Sequence, residues 1–474
     1  MNGGLTADGS RLTAHSSSST SLNSQGAAGG TRLAVSGRLS AVLVRRQTAR
    51  QGIVTLGLLT AVGKGLGFLR ELAVAYFFGA GAAMDAYRVA ETVSGLGSSV
   101  ARQAFDVVGL PLLVERRTRE GERAADRLLS ALGTVALVAA ALVSLALLAF
   151  APQLVRLVAP SLAGGSLAQA ALLVRLLVPA AGATVLSGLA EAWYSSRRQF
   201  WFSRLFDPLV NVVALAGLAL SARQLGVAGL AGSFSAGHVV AILAVFAPLA
   251  LTGRRLVSRL AAPGVKEFLA LSLPVIAVSL VQPLSIAIAR AFASTLPAGS
   301  VALLGYADRL FTVPCLALAA TVGQVFYTKA AELSAAGDGH GLRRTTSRLI
   351  GRFAFVLIPA SIAGFFVSRP LVALLYQRGA FSAHDAAATG NVLSVLLLGL
   401  FPFATITVLT AALRSMKDMK TPALAALAGI VSSTVLNMLL IGRLGLVGLG
   451  LASSAGLAVT AALLGALYMR RTHG

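Results

Sequence analysis

The amino-acid sequence predicts an all-α, polytopic membrane protein with about twelve transmembrane helices, arranged in two six-helix lobes related by pseudo-two-fold symmetry. Its composition, a series of long apolar segments and an internal repeat predict this fold class. Of the 474 residues, 56% are hydrophobic and 12% are charged, whereas soluble domains carry about 25% charged residues. A formal net charge of +23 would indicate nucleic-acid binding in a soluble protein. Because the basic residues lie between apolar segments, we expect them to set membrane topology, with no nucleic acid as partner.

Each crossing of a bilayer requires a helix of about 20 predominantly apolar residues. Twelve segments of the sequence satisfy this requirement, and several exceed it. They are approximately 52–80, 85–114, 128–151, 167–194, 205–222, 228–252, 268–296, 299–328, 349–368, 389–413, 422–441 and 446–469. Residues 1–47 precede them, are rich in Ser, Gly and Thr, and are predicted to form a disordered cytoplasmic tail.

The loops between these segments alternate between a side rich in basic residues and a side poor in them. The rich side holds clusters such as Arg116–Arg127 and Arg197–Arg204. The poor side holds Arg156, Arg223, Arg369, Arg378 and Arg443. Since Lys and Arg concentrate in cytoplasmic loops, the N and C termini are both predicted to lie in the cytoplasm.

Two segments of the chain resemble each other. LGVAGLAGSFSAGHVVA begins at Leu225, and LGLVGLGLASSAGLAVT begins at Leu444, with identities at a constant spacing. A repeat unit at this spacing holds six spans, so both copies keep the same orientation in the membrane. We therefore predict an N-terminal lobe at 48–260 and a C-terminal lobe at 261–474. Secondary transporters use such paired bundles around a central site.

Several ionisable residues fall within the predicted spans, where they are costly and usually face the interior of the bundle. Arg70 lies near the middle of the first span and is the best single candidate for a functional cation, with a buried ion pair as the alternative. Lys64 and Glu71 are seven residues apart and nearly share a helix face. The other candidate binding residues are Asp85, Arg102, Arg290, Asp308 and Arg309. The excess of cations suits an anionic substrate, because phosphate oxygens accept charge-assisted hydrogen bonds from Arg and Lys.

Motifs of enzymes and metal sites are not found in the sequence. Gly57–Lys64 fits the first part of a phosphate-binding loop, but Gly65 follows where Ser or Thr is needed and no strand precedes it. Cys315 is the single cysteine, so no disulfide or thiolate metal site forms within the chain. We therefore expect no catalytic residues, cofactor or metal, and the protein is not predicted to be an enzyme.

Three stretches, 63–87, 305–314 and 377–422, resemble the MurJ/MviN family of lipid flippases, and the similarity covers most of 50–470. That family belongs to the multidrug/oligosaccharidyl-lipid/polysaccharide exporter superfamily. The resemblance implies a multi-pass protein of the bacterial inner membrane, active in peptidoglycan and cell-wall biosynthesis. It implies that a precursor linked to undecaprenyl pyrophosphate crosses the membrane by alternating access between two lobes, with the pyrophosphate held in a cationic cavity.

The resemblance also implies roles for individual residues. Arg70 and Arg309 fall on positions considered important in the family, Asp85 matches an acidic position, and Lys64 stands where the family usually has Arg. Two departures concern the substrate. The second span of the family usually carries an Arg pair where this chain has Ser98 and Ser99; Arg102 follows one turn later and is a candidate substitute. The family also normally has two further C-terminal spans. A related polyprenyl-linked glycan therefore remains an alternative substrate.

The sequence leaves several functions open. The leading hypothesis is a flippase for a lipid-linked peptidoglycan precursor or related oligosaccharide, surrounded by membrane lipids, with Na⁺, H⁺ or Cl⁻ as candidate coupling ion. One alternative is an exopolysaccharide-precursor flippase. Another is a cation-coupled multidrug or small-molecule exporter, which predicts Glu71, Asp106 or Glu191 in an otherwise uncharged chamber. A membrane scaffold predicts that all buried charges are locally paired. A membrane glycosyltransferase predicts an acidic cluster at a membrane face.

Overall fold

The computed structural model describes residues 49–251 and 264–473, and these form helices joined by short turns, with no β-strand among them. The predicted tail at 1–47 lies outside the described residues. The first half contains α1 (Ala49–Phe78), α2 (Ala82–Ala104), the π-helical turn π1 (Phe105–Gly109), α3 (Leu110–Glu120), α4 (Glu122–Ala149), α5 (Ala151–Val158), α6 (Gly164–Leu176), α7 (Val178–Ser196), α8 (Phe200–Ser203) and α9 (Phe206–Leu251). The second half contains α10 (Val265–Ser279), α11 (Val281–Ala293), α12 (Ser300–Thr321), the π-helical turn π2 (Val322–Phe326), α13 (Tyr327–Ala335), α14 (Gly339–Tyr376), α15 (Ala383–Leu397), α16 (Leu400–Ser415) and α17 (Lys420–His473).

The helices of the structure coincide with the predicted spans. Within the described residues, six helices are long and apolar enough to cross a membrane, and two bent helix pairs raise that number to eight. Two of the six, α9 and α17, are far longer than one crossing needs, and each is broken in the middle by a glycine. Each therefore supplies two of the predicted spans. Helices α1 and α2 lie at the first two predicted spans, and the all-α polytopic fold class is confirmed.

The breaks in α9 and α17 lie at equivalent glycines of the repeat. Gly226 has φ 55° and ψ −139°, and Gly445 has φ 54° and ψ −131°. Glycine adopts this conformation because it has no Cβ to clash with the backbone. The two halves therefore change helix direction at the same place.

Other features recur at the spacing that separates Gly226 from Gly445. The pair α6–α7 bends by 41° and the pair α15–α16 by 43°. The Ser235 hydroxyl donates to the Leu176 carbonyl at 2.6 Å, and the Ser454 hydroxyl donates to the Val395 carbonyl at 2.7 Å. The repeat is therefore structural and includes the packing of one bent pair against the following long helix. The lobe boundary at 260/261 falls outside the described residues, so the two lobe ranges stay a prediction.

The largest hydrophobic core joins the two halves. It includes Val74 and Tyr87 from the first half and Tyr306, Tyr376 and Phe381 from the second. A second core lies within the first half, with Phe268 of α10 added to it, and a third lies within the second half. The two halves are therefore packed together firmly at the end where α1, α11 and α14 finish.

Asp418 fixes the turn between α16 and α17, at the opposite end of the helices. Its carboxylate accepts hydrogen bonds from the backbone N–H groups of Lys420 at 3.0 Å and Thr421 at 3.1 Å, and Arg471 lies 2.7 Å away. Burial alone would raise the pKa of this carboxyl, but the hydrogen bonds from Thr421 and the charge of Arg471 outweigh burial and lower the pKa. Asp418 is therefore a charged cap for the first turn of α17.

Candidate functional site

A cavity of about 430 Å³ lies among α1, α2, α9 and α12. All but four of its nineteen lining residues come from the first half, and the four from the second half lie on α12. Its charged lining residues are Lys64, Arg70, Glu71, Arg102, Arg204, Asp207 and Arg309. Among the described lining residues, five cations against two carboxylates make the cavity an electropositive site.

Arg70 carries a positive charge in this cavity without a carboxylate partner. Its side chain is 9% exposed, and its guanidinium lies 4.5 Å from the centre of the Phe234 ring. Among the described residues, no carboxylate lies within salt-bridge distance of it. A desolvated cation costs free energy unless an opposite charge or a π face compensates it. The cavity therefore holds a cation that an anionic ligand would stabilise.

Lys64 lies on the same face of α1 as Glu71, two turns away, as their spacing predicted. Lys64 is exposed to the cavity, and it too is without a carboxylate partner among the described residues. Glu71 is buried and pairs with Arg88 of α2. The net positive charge of α1 at this site therefore comes from Lys64 together with Arg70.

Exposed Arg309 connects the cavity to four more buried charges, and we call the five together the ion cluster: Glu71, Arg88, Glu91, Arg290 and Arg309. Arg309 Nη2 lies 2.8 Å from Glu91 Oε1, and its Nε lies 4.0 Å from Glu71 Oε2. Arg88 Nη1 lies 3.2 Å from Glu91 Oε2, and Arg290 Nη2 lies 4.0 Å from the same oxygen. Both carboxylates belong to the first half, and two of the three arginines belong to the second half. The ion cluster therefore ties the halves together next to the cavity.

Three of the predicted site residues, Arg290, Asp85 and Asp308, lie outside the cavity. Arg290 donates to the Arg88 carbonyl and to the Thr92 hydroxyl within the packed core. Asp85 accepts hydrogen bonds from the backbone N–H groups of Gly299 at 2.6 Å and Ala302 at 2.8 Å. This carboxylate stabilises the N-terminus of α12, whose free N–H groups favour negative charge. Arg290 and Asp85 join the halves rather than line the chamber.

Asp308 faces a different space from its neighbour Arg309. It lines a cavity of about 520 Å³ in the second half, whereas Arg309 lines the electropositive cavity. Thr312 and Leu316 line both cavities, so α12 forms the wall between them. The structure therefore does not bring Asp308 together with Arg70 and Lys64.

Arg102 reaches the cavity from α2, at the end away from the ion cluster. Its Nη2 lies 3.1 Å from Glu191 Oε2, and its Nη1 lies 3.4 Å from Asp207 Oδ1. Ser98 and Ser99 instead donate to carbonyl groups of their own helix. Arg102 thus places a cation in the cavity from the region where the two serines replace arginines.

Arg204 also lines the cavity, although its place in a basic loop indicated only membrane topology. It pairs with Glu191, which is buried on α7. Its position three residues before Asp207 is the signal that the sequence offered. Because Glu191 and Asp207 balance Arg102 and Arg204, this end of the cavity is close to neutral, and Lys64 and Arg70 carry the surplus charge.

The end of the molecule beside the ion cluster is closed by contacts between turns. The Ala380 N–H donates to the Tyr76 carbonyl at 2.8 Å, and the Tyr306 hydroxyl donates to the Gly79 carbonyl at 3.0 Å. Gly79 has φ 57°, and a Cβ there would collide with the Ala380 carbonyl. We call this region the closed end. Its close backbone packing leaves no room for a substrate to pass.

Two helical bundles around an electropositive chamber, joined at one end, are the architecture of a membrane transporter of the alternating-access type. The family model described as lipid II flippase MurJ matches residues 74–474. The chain belongs to this family, and it is therefore a transporter rather than an enzyme.

Relatives agree with this assignment, and solved structures show the same fold. The chain is 28% identical over 426 residues to the lipid II flippase MurJ of Burkholderia cenocepacia, covering 87% of this chain and 82% of that protein. It is 26% identical over 436 residues to a probable lipid II flippase MurJ of Rhizobium tropici, covering 89% and 81%. A structure of lipid II flippase MurJ in an inward closed conformation matches with a TM-score of 0.76 at 20% identity, covering 87% of this chain and 86% of that one. An inward-facing transporter of the MATE family in the MOP superfamily matches with a TM-score of 0.75 at 15% identity, covering 89% and 98%.

Proposed function

We propose that this protein moves a lipid-linked peptidoglycan precursor with a pyrophosphate group across the membrane by alternating access. The observation that carries the proposal is Arg70, a buried cation with no carboxylate partner among the described residues, in a chamber with surplus positive charge. Membership of the lipid II flippase MurJ family supports the same substrate class.

The pyrophosphate binds where positive charge is not already balanced. Arg70 presents a planar fork that suits two phosphate oxygens, and Lys64 adds a point charge two turns of helix from Glu71. Arg309 is 45% exposed and already shares Glu91 with Arg88. We infer that Lys64 and Arg70 hold the anion first and that Arg309 completes the site when phosphate competes with Glu91.

The charge of the chamber favours this substrate over the cation-coupled exporter. Such an exporter predicts Glu71, Asp106 or Glu191 in an otherwise uncharged cavity. Glu71 lines the cavity but is paired with Arg88, and cations outnumber carboxylates among the lining residues. An exopolysaccharide precursor carries the same pyrophosphate group and would bind by the same chemistry.

We place the closed end outside the cell. The turns that form it carry few basic residues, whereas the opposite helix ends carry Arg116–Arg127 and Arg197–Arg204. By the positive-inside rule, both termini then lie in the cytoplasm. The chamber, on the other side of the closed end, opens toward the cytoplasm in this orientation. The protein resides in the inner membrane in this proposal, and the structure represents a state that is ready to take up substrate.

Opening of the closed end requires the ion cluster to separate. Movement of α11 and α12 away from α1 and α2 leaves Glu71 and Glu91 facing Arg88 alone. A buried charge that loses its partner is costly, so an ion that replaces the partner promotes opening. Na⁺ or H⁺ would neutralise a carboxylate, and Cl⁻ would neutralise an arginine. We infer that a coupling ion acts at this cluster.

A flipping assay in reconstituted vesicles tests the role of Arg70. Arg70→Ala removes the cation and is expected to lower the transport rate at least tenfold, since a charge-assisted hydrogen bond contributes about 1.5–3 kcal/mol. Arg70→Lys keeps the charge without the fork and is expected to be intermediate. Arg223→Ala, which removes an exposed arginine of α9 outside the cavity, is the matched control. Wild-type transport by the Arg70→Ala variant would exclude Arg70 from substrate binding.

A further inference from the structure

A pocket of about 300 Å³ lies in the second half, between π2, α13 and the start of α14. It is separate from the transport chamber, and we call it the α14 pocket. Its lining residues are Val322, Val325, Phe326, Lys329, Thr345, Arg348, Leu349, Arg352 and Phe353. Three of these nine described residues are cations and none is acidic, while the others form a mostly apolar wall.

The repeat shows what occupies the equivalent groove in the first half. The turns π1 and π2 begin at Phe105 and Val322, and the helices α4 and α14 begin at Glu122 and Gly339, at one constant spacing. In the first half, Phe268 of α10 fills the groove beside π1, stacked on Phe105 with ring centres 5.0 Å apart. In the described part of the second half, the equivalent groove is the open α14 pocket.

The two grooves differ in charge. At the same spacing, Lys329, Arg348 and Arg352 of the α14 pocket correspond to Leu112, Ala131 and Val135 of the first half. Leu112 belongs to the core of the first half, Val135 packs against that core, and Ala131 is fully buried. The first-half groove therefore suits an apolar helix, whereas the second-half groove suits an occupant that carries negative charge beside an apolar portion.

The cations of the pocket are available to such an occupant. Arg348 and Arg352 are four residues apart on α14 and hence neighbours on its surface. Neither has a carboxylate within salt-bridge distance in the ranges 49–251 and 264–473. Lys329 pairs with Glu332 at 3.1 Å, but both side chains are more than half exposed, so this pair contributes little.

The position of the pocket identifies the kind of occupant. Phe355 and Val356 follow Arg352 within about one helical turn and are 83% and 59% exposed. An apolar helix face that is this exposed in a membrane protein contacts lipid chains. The pocket thus lies where the basic loop region meets the apolar face, which is the level of lipid headgroups.

We propose that the α14 pocket binds the headgroup phosphate of an anionic phospholipid from the surrounding membrane. The phosphate lies between Lys329, Arg348 and Arg352, and the acyl chains extend along the exposed face near Phe355. The proposal is independent of the transport substrate, because its lining residues are all different from those of the chamber.

Native mass spectrometry of the purified protein with added phosphatidylglycerol or phosphatidylcholine of the same acyl chains tests this proposal. Each arginine near an anionic headgroup contributes about fivefold in affinity. Arg348→Gln/Arg352→Gln is therefore expected to weaken phosphatidylglycerol binding about 25-fold and to leave phosphatidylcholine binding unchanged. Arg344→Gln/Arg414→Gln removes two exposed arginines outside the pocket and is expected to bind like the wild type.

Either of two results with the double variants would overturn the proposal. One is equal loss of phosphatidylglycerol binding in both double variants, which would indicate general charge attraction rather than a site. The other is full retention of binding in Arg348→Gln/Arg352→Gln. Glycerol 3-phosphate provides a further arm: if it displaces phosphatidylglycerol at equal concentration, the site recognises free phosphate and the lipid assignment is wrong. Transport assays are not needed, so failure here leaves the flippase proposal untouched.

Discussion

Replacement of Glu91 by glutamine is expected to loosen the closed end strongly. Glu91 is 15% exposed and lies within 4.0 Å of Arg88, Arg290 and Arg309. Removal of one partner from a buried ion pair costs about 3–5 kcal/mol. Because Arg309 is 45% exposed and solvent screens its share, we take the lower limit, about 3 kcal/mol, which corresponds to about 150-fold in the opening equilibrium.

Thiol labelling from outside the cell measures this change. Ser300 is buried at the closed end, and Cys315 is the only native cysteine, so Ser300→Cys in a Cys315→Ala background provides a single reporter. A membrane-impermeant maleimide should label it about 150-fold faster when Glu91→Gln is added, as the opening equilibrium shifts by about 3 kcal/mol.

Glu332→Gln is the matched control, because Glu332 is 61% exposed in a surface pair with Lys329. Surface pairs contribute about 0–1 kcal/mol, so the labelling rate should change less than about fivefold. If Glu91→Gln changed labelling no more than Glu332→Gln, the ion cluster would have no role in closing this end, and the reasoning above would be wrong.

Three further predictions concern local structure. Asp85→Ala should destabilise the closed end by about 2 kcal/mol, since two buried N–H groups lose a charged acceptor, and should raise the labelling rate of the reporter about 30-fold. Gly79→Ala should lower the melting temperature, because a left-handed conformation costs about 1–2 kcal/mol in alanine even before the clash, whereas Gly442→Ala in open helical space should not. Asp418→Asn should lower the melting temperature more at pH 7 than at pH 3: the lowered pKa of Asp418 stabilises the fold above the ordinary carboxyl pKa of about 3.9, and this gain decreases as pH falls below that value and through the folded-state pKa. An equal loss at both pH values would contradict the role of its charge.

The sequence predicted the elements whose signals are local. The lengths of the apolar segments predicted the spans. The matching residues at constant spacing after Leu225 and Leu444 predicted a repeat, and the helix breaks at Gly226 and Gly445 confirm it. Lys64 and Glu71, seven residues apart, were predicted nearly to share one helix face, because residue spacing determines direction in a helix, and Arg70 was predicted as the functional cation of the same helix. All three line the cavity.

Features of the site that depend on contacts between helices could not be predicted from the sequence in this way. Asp85 and Arg290 bind backbone groups of other helices, and no residue pattern in their own segments shows those partners. Arg204 reaches the cavity because it pairs with Glu191 of α7. This pair depends on how α7 packs against the turn before α9, and no local residue pattern shows that packing. Asp308 and Arg309 are adjacent in sequence, yet the helical rotation of about 100° per residue turns them toward different cavities.

Most residues that line the chamber belong to the first half, and this affects how a bound ligand is released. A bound anion held by Lys64 and Arg70 would travel with the first half when the bundles part, while α12 moves away and takes Arg309 with it. The ligand then has one charge-assisted hydrogen bond fewer. Because such a bond contributes about 1.5–3 kcal/mol, the binding affinity falls by about 10- to 150-fold. Separation of the two halves would therefore by itself promote release of the bound anion on the opposite side of the membrane.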